Sequence, residues 1–162
     1  FFILIFVTAI SSAQNIAYVD SRYILENIPE FNTTQEELNN LSIEWQEEID
    51  QLKTEVERLY QKYQAEQYLL PEETKRNRED EIIKKEKEIK SLTKKRFGPE
   101  GELYKKQDQL IRPIQDLIYA AIADFAEKGK YDIIFDKSSD LIMLFTNPEL
   151  NKSEEILEKL GY

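Results

Sequence analysis

The stretch Glu36–Tyr63, EELNNLSIEWQEEIDQLKTEVERLYQKY, decides the fold of this chain. Its apolar residues recur at steps of three and four, which places them on one stripe of a helix and leaves polar side chains to cover the rest. The stripe consists of Leu38, Leu41, Trp45, Ile49, Leu52, Val56, Leu59 and Tyr63. Neither glycine nor proline interrupts residues 33–70. Because a helix rises about 1.5 Å per residue, this arm is expected to reach roughly 50 Å.

A second helical segment follows a turn at Leu69, Leu70 and Pro71, and it offers a partner for that stripe. Its own, sparser stripe consists of Ile82, Ile89, Leu92, Leu103, Leu110, Leu117, Ala121 and Phe125. Residues 30–67 hold ten acidic and three basic side chains, a net charge of −7, whereas residues 72–106 hold nine acidic and twelve basic, a net charge of +3. Opposite signs favour contact between the two arms. The sequence therefore predicts a long antiparallel helical hairpin over residues 33–128, with its tip near 68–72.

The predicted tip is apolar, since Tyr68, Leu69 and Leu70 follow one another there. Pro71 and the acidic residues after it suit the first turn of the returning helix. Two interpretations remain open for the tip. It is exposed and contacts an unfolded client protein, or it folds back onto its own hairpin.

The returning arm is interrupted at residues 97–101, which read FGPEG. Pro99 removes a helical hydrogen bond and the two glycines loosen the backbone, so we expect a kink or a short break. A phosphate-binding loop is not indicated, because the P-loop pattern and its preceding strand are missing. Pro113 predicts a second, milder kink. Beyond it the apolar stripe is densest, which indicates that this end of the arm is buried in a body.

The N-terminal part of the body, residues 14–32, is predicted to hold a strand over 15–19 and a brief helix. Asp20 or Ser21 is expected to cap that helix and Pro29 to stop it. One of residues 32–34 is expected to cap the first long arm.

The C-terminal part of the body, residues 129–162, begins with Gly129 as the helix C-cap. Strands over 131–136 and 141–145 are predicted to form a β-hairpin, and a last helix is capped by Ser153 and ends before Gly161. Three short strands are too few to enclose a core and leave open edges, so we expect the body to oligomerise. The candidate oligomer contacts are Ile16, Tyr18, Val19, Ile133, Ile134, Phe135, Leu141, Ile142 and Leu144.

Residues 1–13 form an apolar run that ends in small residues, with Ser11 and Ala13 at the −3 and −1 positions of a cleavage site before Gln14. This pattern predicts a secretory signal peptide that lacks its initiator methionine and basic start. A run of this length is too short to span a bilayer. Because the chain contains no cysteine, a lipoprotein anchor is excluded. We expect an exported protein without stable membrane insertion after signal cleavage.

Composition excludes several classes of function. The net charge of −10 and a pI near 4.7 argue against nucleic acid as a partner. The chain contains neither cysteine nor histidine, which removes thiol nucleophiles, Ser-His-Asp arrangements and His or Cys metal sites. Asp132, Asp136 and Asp140 are expected to have structural or solubility roles rather than to bind a metal. The sequence predicts no enzyme, no cofactor and no metal.

The order of these segments resembles the Skp/OmpH-type periplasmic chaperone family. The resemblance rests on Ile16–Ser21 (IAYVDS), Gly129–Asp136 (GKYDIIFD), the long charged hairpin and the capped terminal helix; Phe97–Leu103 (FGPEGEL) and Arg112–Asp116 (RPIQD) resemble one branch of that family. It implies a mainly α fold with a small β body. In a homotrimer, the strands of three subunits form a short-stranded β-barrel, and three hairpins project from it as tentacles around a cavity.

The resemblance also implies a function. Such a protein is an ATP-independent holdase that keeps unfolded outer-membrane β-barrel proteins from aggregating in the periplasm of a Gram-negative bacterium. The alternative is a structural periplasmic coiled-coil scaffold that binds a folded partner. Well-known members have strongly basic tentacles, whereas this chain is acidic overall. Besides the tip, the candidate client contacts are therefore the basic residues of the returning arm: Lys84, Lys85, Lys87, Lys90, Lys94, Lys95 and Arg96.

Overall fold

The computed structural model describes residues 14–140 and 142–162, so the predicted signal peptide lies outside the described residues. The elements in chain order are β1 (Ile16–Val19), α1 (Ser21–Glu26), α2 (Pro29–Glu66), α3 (Glu72–Phe97), α4 (Glu102–Gly129), β2 (Ile133–Asp136) and α5 (Ser153–Leu160). Short 3₁₀ turns occupy Gln67–Leu69 and Pro148–Leu150. None of the described helices combines the length and the apolar character that crossing a membrane requires.

The chain divides into two compact units. The hairpin unit is Pro29–Pro113, and the body unit consists of the residues up to Ile28 together with Ile114–Tyr162. The sequence assigned 33–128 to the hairpin, whereas the structure places residues 114–128 in the body unit. The reason is that the second half of α4 carries the apolar side chains Ile118 and Ala121, which are buried.

In the hairpin unit, α2 and α3 pack against each other in antiparallel directions. Their buried apolar residues come from the stripes that the sequence shows: Leu38, Trp45 and Ile49 of α2 and Ile82 of α3. The ion pairs between the helices record the register, with Glu66–Arg78 at 2.5 Å, Glu55–Lys85 at 2.9 Å and Glu48–Arg96 at 3.5 Å. From one ion pair to the next, the residue number decreases in α2 and increases in α3, as it must when two helices run in opposite directions. The predicted long antiparallel hairpin is therefore confirmed.

The long helix begins earlier than the sequence predicted. The structure starts α2 at Pro29, and the expectation of a cap at residues 32–34 is wrong. Proline fits the first helical position because its missing N–H would have no partner there. Thr33 lies within the helix instead, where its hydroxyl donates to the carbonyl oxygen of Pro29 at 3.0 Å.

The predicted break in the returning arm is a tight turn between α3 and α4. The Gly98 N–H donates to the carbonyl oxygen of Lys94 at 2.9 Å, and the Gly101 N–H donates to that of Gly98 at 2.8 Å. A Cβ atom on Gly98 would lie 2.3 Å from the Lys94 carbonyl oxygen, and one on Gly101 would lie 2.8 Å from that of Gly98. Both positions require glycine because the backbone passes too close for a side chain. Pro113, by contrast, lies inside the continuous helix α4.

In the body unit, β1 pairs in parallel with β2, with Ile16 opposite Ile133 and Val19 opposite Asp136. Tyr18 also bridges Asn151, so β1 has a neighbour on each side. The predicted β-hairpin is wrong. Residues 142–145 are not in a strand, and Ile142 and Leu144 are 85% and 96% exposed. An apolar run suits a half-buried pleated surface, but this one finds no partner strand in the described protomer. The two described strands do not form a closed barrel.

The two ends of the chain build the core of the body unit together. Its buried residues are Ala17, Tyr18, Val19, Ile24, Ile28, Ile118, Ala121, Ile156 and Leu157. Polar contacts fasten the same elements, since the Asp20 N–H donates to the buried Ser153 hydroxyl at 2.8 Å. The sequence predicted Ser153 as the N-cap of α5. In the structure Ser153 is the first residue of that helix, and Lys152 occupies the N-cap position.

Two of the three aspartates considered above have structural roles. The Asp132 carboxylate accepts from the Asn15 N–H at 2.8 Å. The Asp136 carboxylate accepts from the backbone and hydroxyl of Ser21 and of Ser138. Burial of Asp136 by itself would raise its pKa, but these hydrogen bonds outweigh it and lower the pKa. They hold β2 against the start of α1.

Candidate protein-binding surface

The tip of the hairpin unit exposes large apolar side chains. Tyr68 and Leu69 are each 87% exposed, and Leu70 is half-buried. The 3₁₀ turn that contains Tyr68 and Leu69 directly follows α2. Leu70 and Pro71 then continue in an extended backbone to the first residue of α3. The tip is therefore exposed and not folded back onto its own hairpin, and its contact with a client stays a prediction. An exposed aromatic ring beside a leucine is the kind of patch that contacts other proteins.

Five lysines of α3 form a surface that we call the basic face: Lys84, Lys87, Lys90, Lys94 and Lys95. All five are exposed. Lys84 lies 4.0 Å from the Glu88 carboxylate, and Lys95 lies 3.3 Å from that of Glu102. Within the described residues, no carboxylate lies within ion-pair distance of the other three. Their charges are available to a partner.

Lys85 and Arg96, which the sequence grouped with these lysines, point toward α2 instead. Lys85 donates to the Glu55 carboxylate at 2.9 Å. This hydrogen bond raises the pKa of Lys85 and lowers that of Glu55. The helical repeat would have revealed this, because Lys85 comes three residues after the buried Ile82 and so shares its face. Both residues stabilise the hairpin, and we leave them out of the candidate surface.

Arg96 is the centre of a cluster that the sequence analysis missed. We call it the joint, and it comprises Trp45, Glu48, Arg96, Phe97 and Glu102. The guanidinium lies 4.3 Å from the centroid of the Trp45 ring, and Phe97 meets the same ring edge-on with centroids 6.3 Å apart. Arg96 also pairs with Glu48 at 3.5 Å and closely with Glu102. The joint fixes the end of α3 and the start of α4 against α2.

The charges of the joint are interdependent. Burial alone would raise the pKa of Glu102, but hydrogen bonds from Arg96 and Lys95 outweigh it and lower the pKa. The Nε of Arg96 is buried and has no partner within the described residues. The break between α3 and α4 is therefore pinned by charge and by aromatic contact rather than left as a free hinge.

The body unit has an apolar surface of its own. The predicted oligomer contacts Tyr18 and Val19 are buried within the protomer, where β1 lies between β2 and the bridge to Asn151. Ile16 and Ile134 are half-buried. The exposed members of the predicted set are Ile133, Phe135, Ile142 and Leu144, and Leu141 lies outside the described residues. β2 pairs only with β1 in the described part of the chain, so its other edge is open.

The described residues contain no cluster of three or more His, Cys, Asp or Glu side chains that could hold a metal ion. What the geometry offers is an exposed apolar tip in the hairpin unit and, separately, an open strand edge in the body unit. Such surfaces bind other polypeptides through many contacts, and ligand pockets have a different, concave form.

Comparison with known proteins places this geometry among related folds. Residues 15–160 match the profile of a family described as outer membrane protein (OmpH-like). The chain also resembles the crystal structure of a Caulobacter crescentus protein described as an OmpH-like outer membrane chaperone. The TM-score is 0.73 at 9% sequence identity, and the match covers 92% of this chain and 85% of that one. At this identity the likeness shows a shared fold. No curated protein matches the sequence.

Proposed function

Because the chain belongs to the OmpH-like outer membrane protein family, we propose that it is an ATP-independent holdase chaperone. It acts in the periplasm of a Gram-negative bacterium, where it binds unfolded outer-membrane β-barrel proteins and prevents their aggregation. The observation that carries this proposal is the hairpin unit, whose exposed tip residues Tyr68 and Leu69 adjoin a helix with unpaired lysines.

The surface of the hairpin suits an unfolded client. Its exposed apolar side chains are scattered along the helices, at Ile43, Tyr60, Tyr68, Leu69, Ile83 and Tyr104. Each offers a small contact, and a flexible client that engages several of them at once gains avidity without a defined pocket. The basic face adds attraction to acidic segments of the client, and this attraction is expected to weaken with salt.

We further propose that the body unit completes itself in a homotrimer. Two features support this. The open edge of β2 offers unpaired backbone groups, and Ile142 and Leu144 expose apolar area that a monomer rarely leaves in water. Neighbouring copies that pair at this edge give its backbone groups hydrogen-bond partners, and the same contact covers the two exposed side chains.

The test is to dilute a urea-unfolded outer-membrane barrel protein into residues 14–162 and to follow aggregation by light scattering. We expect suppressed aggregation and, by multi-angle scattering, a soluble complex of three subunits and one client. A variant with Tyr68→Ser and Leu69→Ser is expected to suppress less, and so is one with Lys87→Glu and Lys94→Glu. The matched control is Lys105→Glu with Lys106→Glu, which makes the same charge change at exposed residues outside the basic face.

The alternative function is a periplasmic scaffold that binds a folded partner. The joint favours it, because Arg96 over Trp45 makes the hairpin a stiff rod rather than a loose arm. Unchanged aggregation with several clients and salt concentrations, together with tight binding of one folded protein, would establish the scaffold and contradict the holdase.

A further inference from the structure

The exposed apolar residues of the hairpin unit are not spread evenly around it. In α2 the half-buried Leu59 belongs to the stripe that faces α3, and in α3 the buried Ile82 faces α2. These two residues lie at the same level, because both line one shallow depression between the helices. The residue that follows each of them is apolar and exposed, since Tyr60 and Ile83 are each 46% exposed.

A contact between the helices shows on which side of the hairpin Ile83 lies. The Tyr63 hydroxyl donates to the Glu79 carboxylate. Glu79 comes three residues before Ile82, so it is rotated from Ile82 by about 60° around the helix axis. Ile83 is rotated from Ile82 by about 100° in the same direction. Ile83 therefore lies on the side of the hairpin where Tyr63 contacts Glu79.

Tyr60 lies on that same side. Tyr63 follows Leu59 by four residues, which is a rotation of about 40°, and Tyr60 is rotated from Leu59 by about 100° in the same direction. Nearer the joint, Ile43 is 50% exposed and is rotated in this direction too, by about 120° from the buried Ile49. Three exposed apolar residues thus share one side of the hairpin, which we call the apolar side: Ile43, Tyr60 and Ile83.

The opposite side of the hairpin is charged at the level of Tyr60. The contact between Glu55 and Lys85, at 2.9 Å, marks this side, because a step of three residues after Ile82 rotates in the opposite direction from a step of three before it. The residues that directly precede the two inward-facing ones, Arg58 and Glu81, lie on this side and are exposed. Equivalent positions on the two sides therefore differ in chemistry, apolar on one and charged on the other.

The apolar side is too small to hold a folded partner or a second hairpin by itself. A stable interface buries roughly 800 Å² on each partner, and even a completely buried aromatic side chain contributes only about 150–250 Å². An unfolded polypeptide does not need a continuous area, because it is flexible and can reach several small contacts at once. Ile43 and Tyr60 are about 25 Å apart along the helix, a distance that an extended segment of about eight residues spans.

We propose that the apolar side is the surface on which the hairpin binds apolar segments of an unfolded client, while the charged side stays in contact with water. This inference rests on the proposed chaperone function and adds to it the side of the hairpin that the client contacts. Tyr60 suits such a role, because its rigid ring offers a large contact at a low cost in conformational entropy. The attraction of the client to lysines weakens with salt, whereas burial of apolar surface does not depend on charge.

The first test compares equivalent positions on the two sides. The chain contains no cysteine, so a photoreactive benzophenone can be attached to residues 14–162 at Tyr60→Cys or at Arg58→Cys. After a urea-unfolded outer-membrane barrel protein is added, we expect Tyr60→Cys to give several times more cross-linked client. The excess should persist from about 0.05 M to about 0.5 M salt, where attraction between charges is screened. Equal yields from the two positions would overturn the proposal.

The second test removes the apolar contacts. Tyr60→Ser with Ile83→Ser is expected to weaken the binding of a fluorescently labelled client by about three- to tenfold. Arg58→Ser with Glu81→Ser is the matched control, because it changes the equivalent positions of the charged side, and it should leave the affinity within about twofold. All four residues are exposed, so both variants are expected to keep the helical circular dichroism of the wild type. An equal loss of affinity in the two variants would contradict the proposal.

The wild-type protein and the mass of each variant separate this inference from the others. If the wild type binds no unfolded client, the proposed chaperone function fails and the apolar side fails with it. If the wild type binds the client but the two sides behave alike, only the assignment of the apolar side is overturned. A lower mass for Tyr60→Ser with Ile83→Ser without client would show that a second copy covers this side, which would also overturn the proposal.

Discussion

At the scale of single residues, Gly129 has a different role from the one its sequence position indicates. The sequence predicts a C-cap, where glycine serves for its left-handed backbone. In the structure the residue with the left-handed backbone is Lys130, at φ 52°, and Gly129 is the last residue of α4. A Cβ atom on Gly129 would lie 2.5 Å from the Cε2 atom of Tyr131. A side chain at this position would have to displace the Tyr131 ring, which folds back to stack on Phe125 with centroids 5.5 Å apart.

This close approach predicts the sign of a substitution. In an ordinary helix, Gly→Ala stabilises by about 0.5–1 kcal/mol. Here the extra methyl group displaces the Tyr131 ring, and such overpacking costs about 1–3 kcal/mol. Gly129→Ala is therefore expected to lower the free energy of unfolding, as measured by urea denaturation. The control is the same change in a Tyr131→Ala background, where it should become neutral or stabilising. A destabilisation that persists without the ring would contradict the explanation.

Arg96 provides a second prediction at this scale, because Trp45 is the single tryptophan of the chain and reports on its environment. Arg96→Met keeps part of the side-chain volume but removes the contact with the ring and both ion pairs. Loss of charged hydrogen bonds that are partly shielded from water is expected to cost about 1–3 kcal/mol. Denaturation followed by Trp45 fluorescence measures it. Lys94→Met, on the exposed side of the same helix, is the control and should change stability by less than about 0.5 kcal/mol.

At the scale of elements, the helices were predictable from local spacing and the strands only in part. The steps from Leu38 to Trp45 and Ile49 specify one helical face, and the same face is buried in the structure. By composition, a strand is predicted equally well for residues 131–136 and for residues 141–145. The structure uses only residues 133–136, because a strand requires a partner and the sequence does not say where that partner is. A run of basic residues is ambiguous in a similar way, because composition does not tell which of them face the partner helix. The helical repeat resolves this by assigning Lys85 and Arg96 to the side of α3 that faces α2.

The joint between α3 and α4 predicts a response to acid. The ordinary pKa of a glutamate is near 4.5, and that of Glu102 is lowered in the folded protein despite burial, by hydrogen bonds from Arg96 and Lys95. A carboxylate with a lowered pKa stabilises the fold fully above its unfolded value. That contribution is lost as the pH falls through the folded value. The joint should therefore be unaffected by pH between 7 and about 5 and loosen in stronger acid.

Trp45 fluorescence is the measurement for this prediction. Glu102→Gln removes the charge at every pH, so its spectrum near neutrality should already show the loosened joint and its response to acid should be smaller. Asp124→Asn is the control, because Asp124 also has a lowered pKa, from its bonds to Lys159 and Lys128, but it lies in the body unit. A wild-type acid response in Glu102→Gln would show that another carboxylate controls the joint.

At the scale of the whole molecule, the sequence predicted that the two ends of the chain share one body, but it did not predict which of their strands pair. Ile16 pairs with Ile133 in a parallel ladder, and the Asp20 N–H donates to the Ser153 hydroxyl. Two strands far apart in sequence pair only by closing a long loop, and a propensity scale contains no information about such contacts. The expectation that the body is incomplete alone did come from the sequence, since few short strands leave open edges.

The incomplete body predicts that stability depends on protein concentration. If copies cover the exposed Ile142 and Leu144, the folded trimer gains stability by mass action, and its Tm should rise as the protein is concentrated. Ile142→Asp with Leu144→Asp places charges at that contact and should yield a subunit-sized species by sedimentation, with helical circular dichroism retained. The control is Ile83→Asp, which changes an isoleucine of the hairpin unit that is 46% exposed and should leave the mass unchanged. A double variant that keeps both its mass and its concentration-dependent Tm would show that copies associate elsewhere, since buried carboxylates at an apolar contact are too costly to be tolerated.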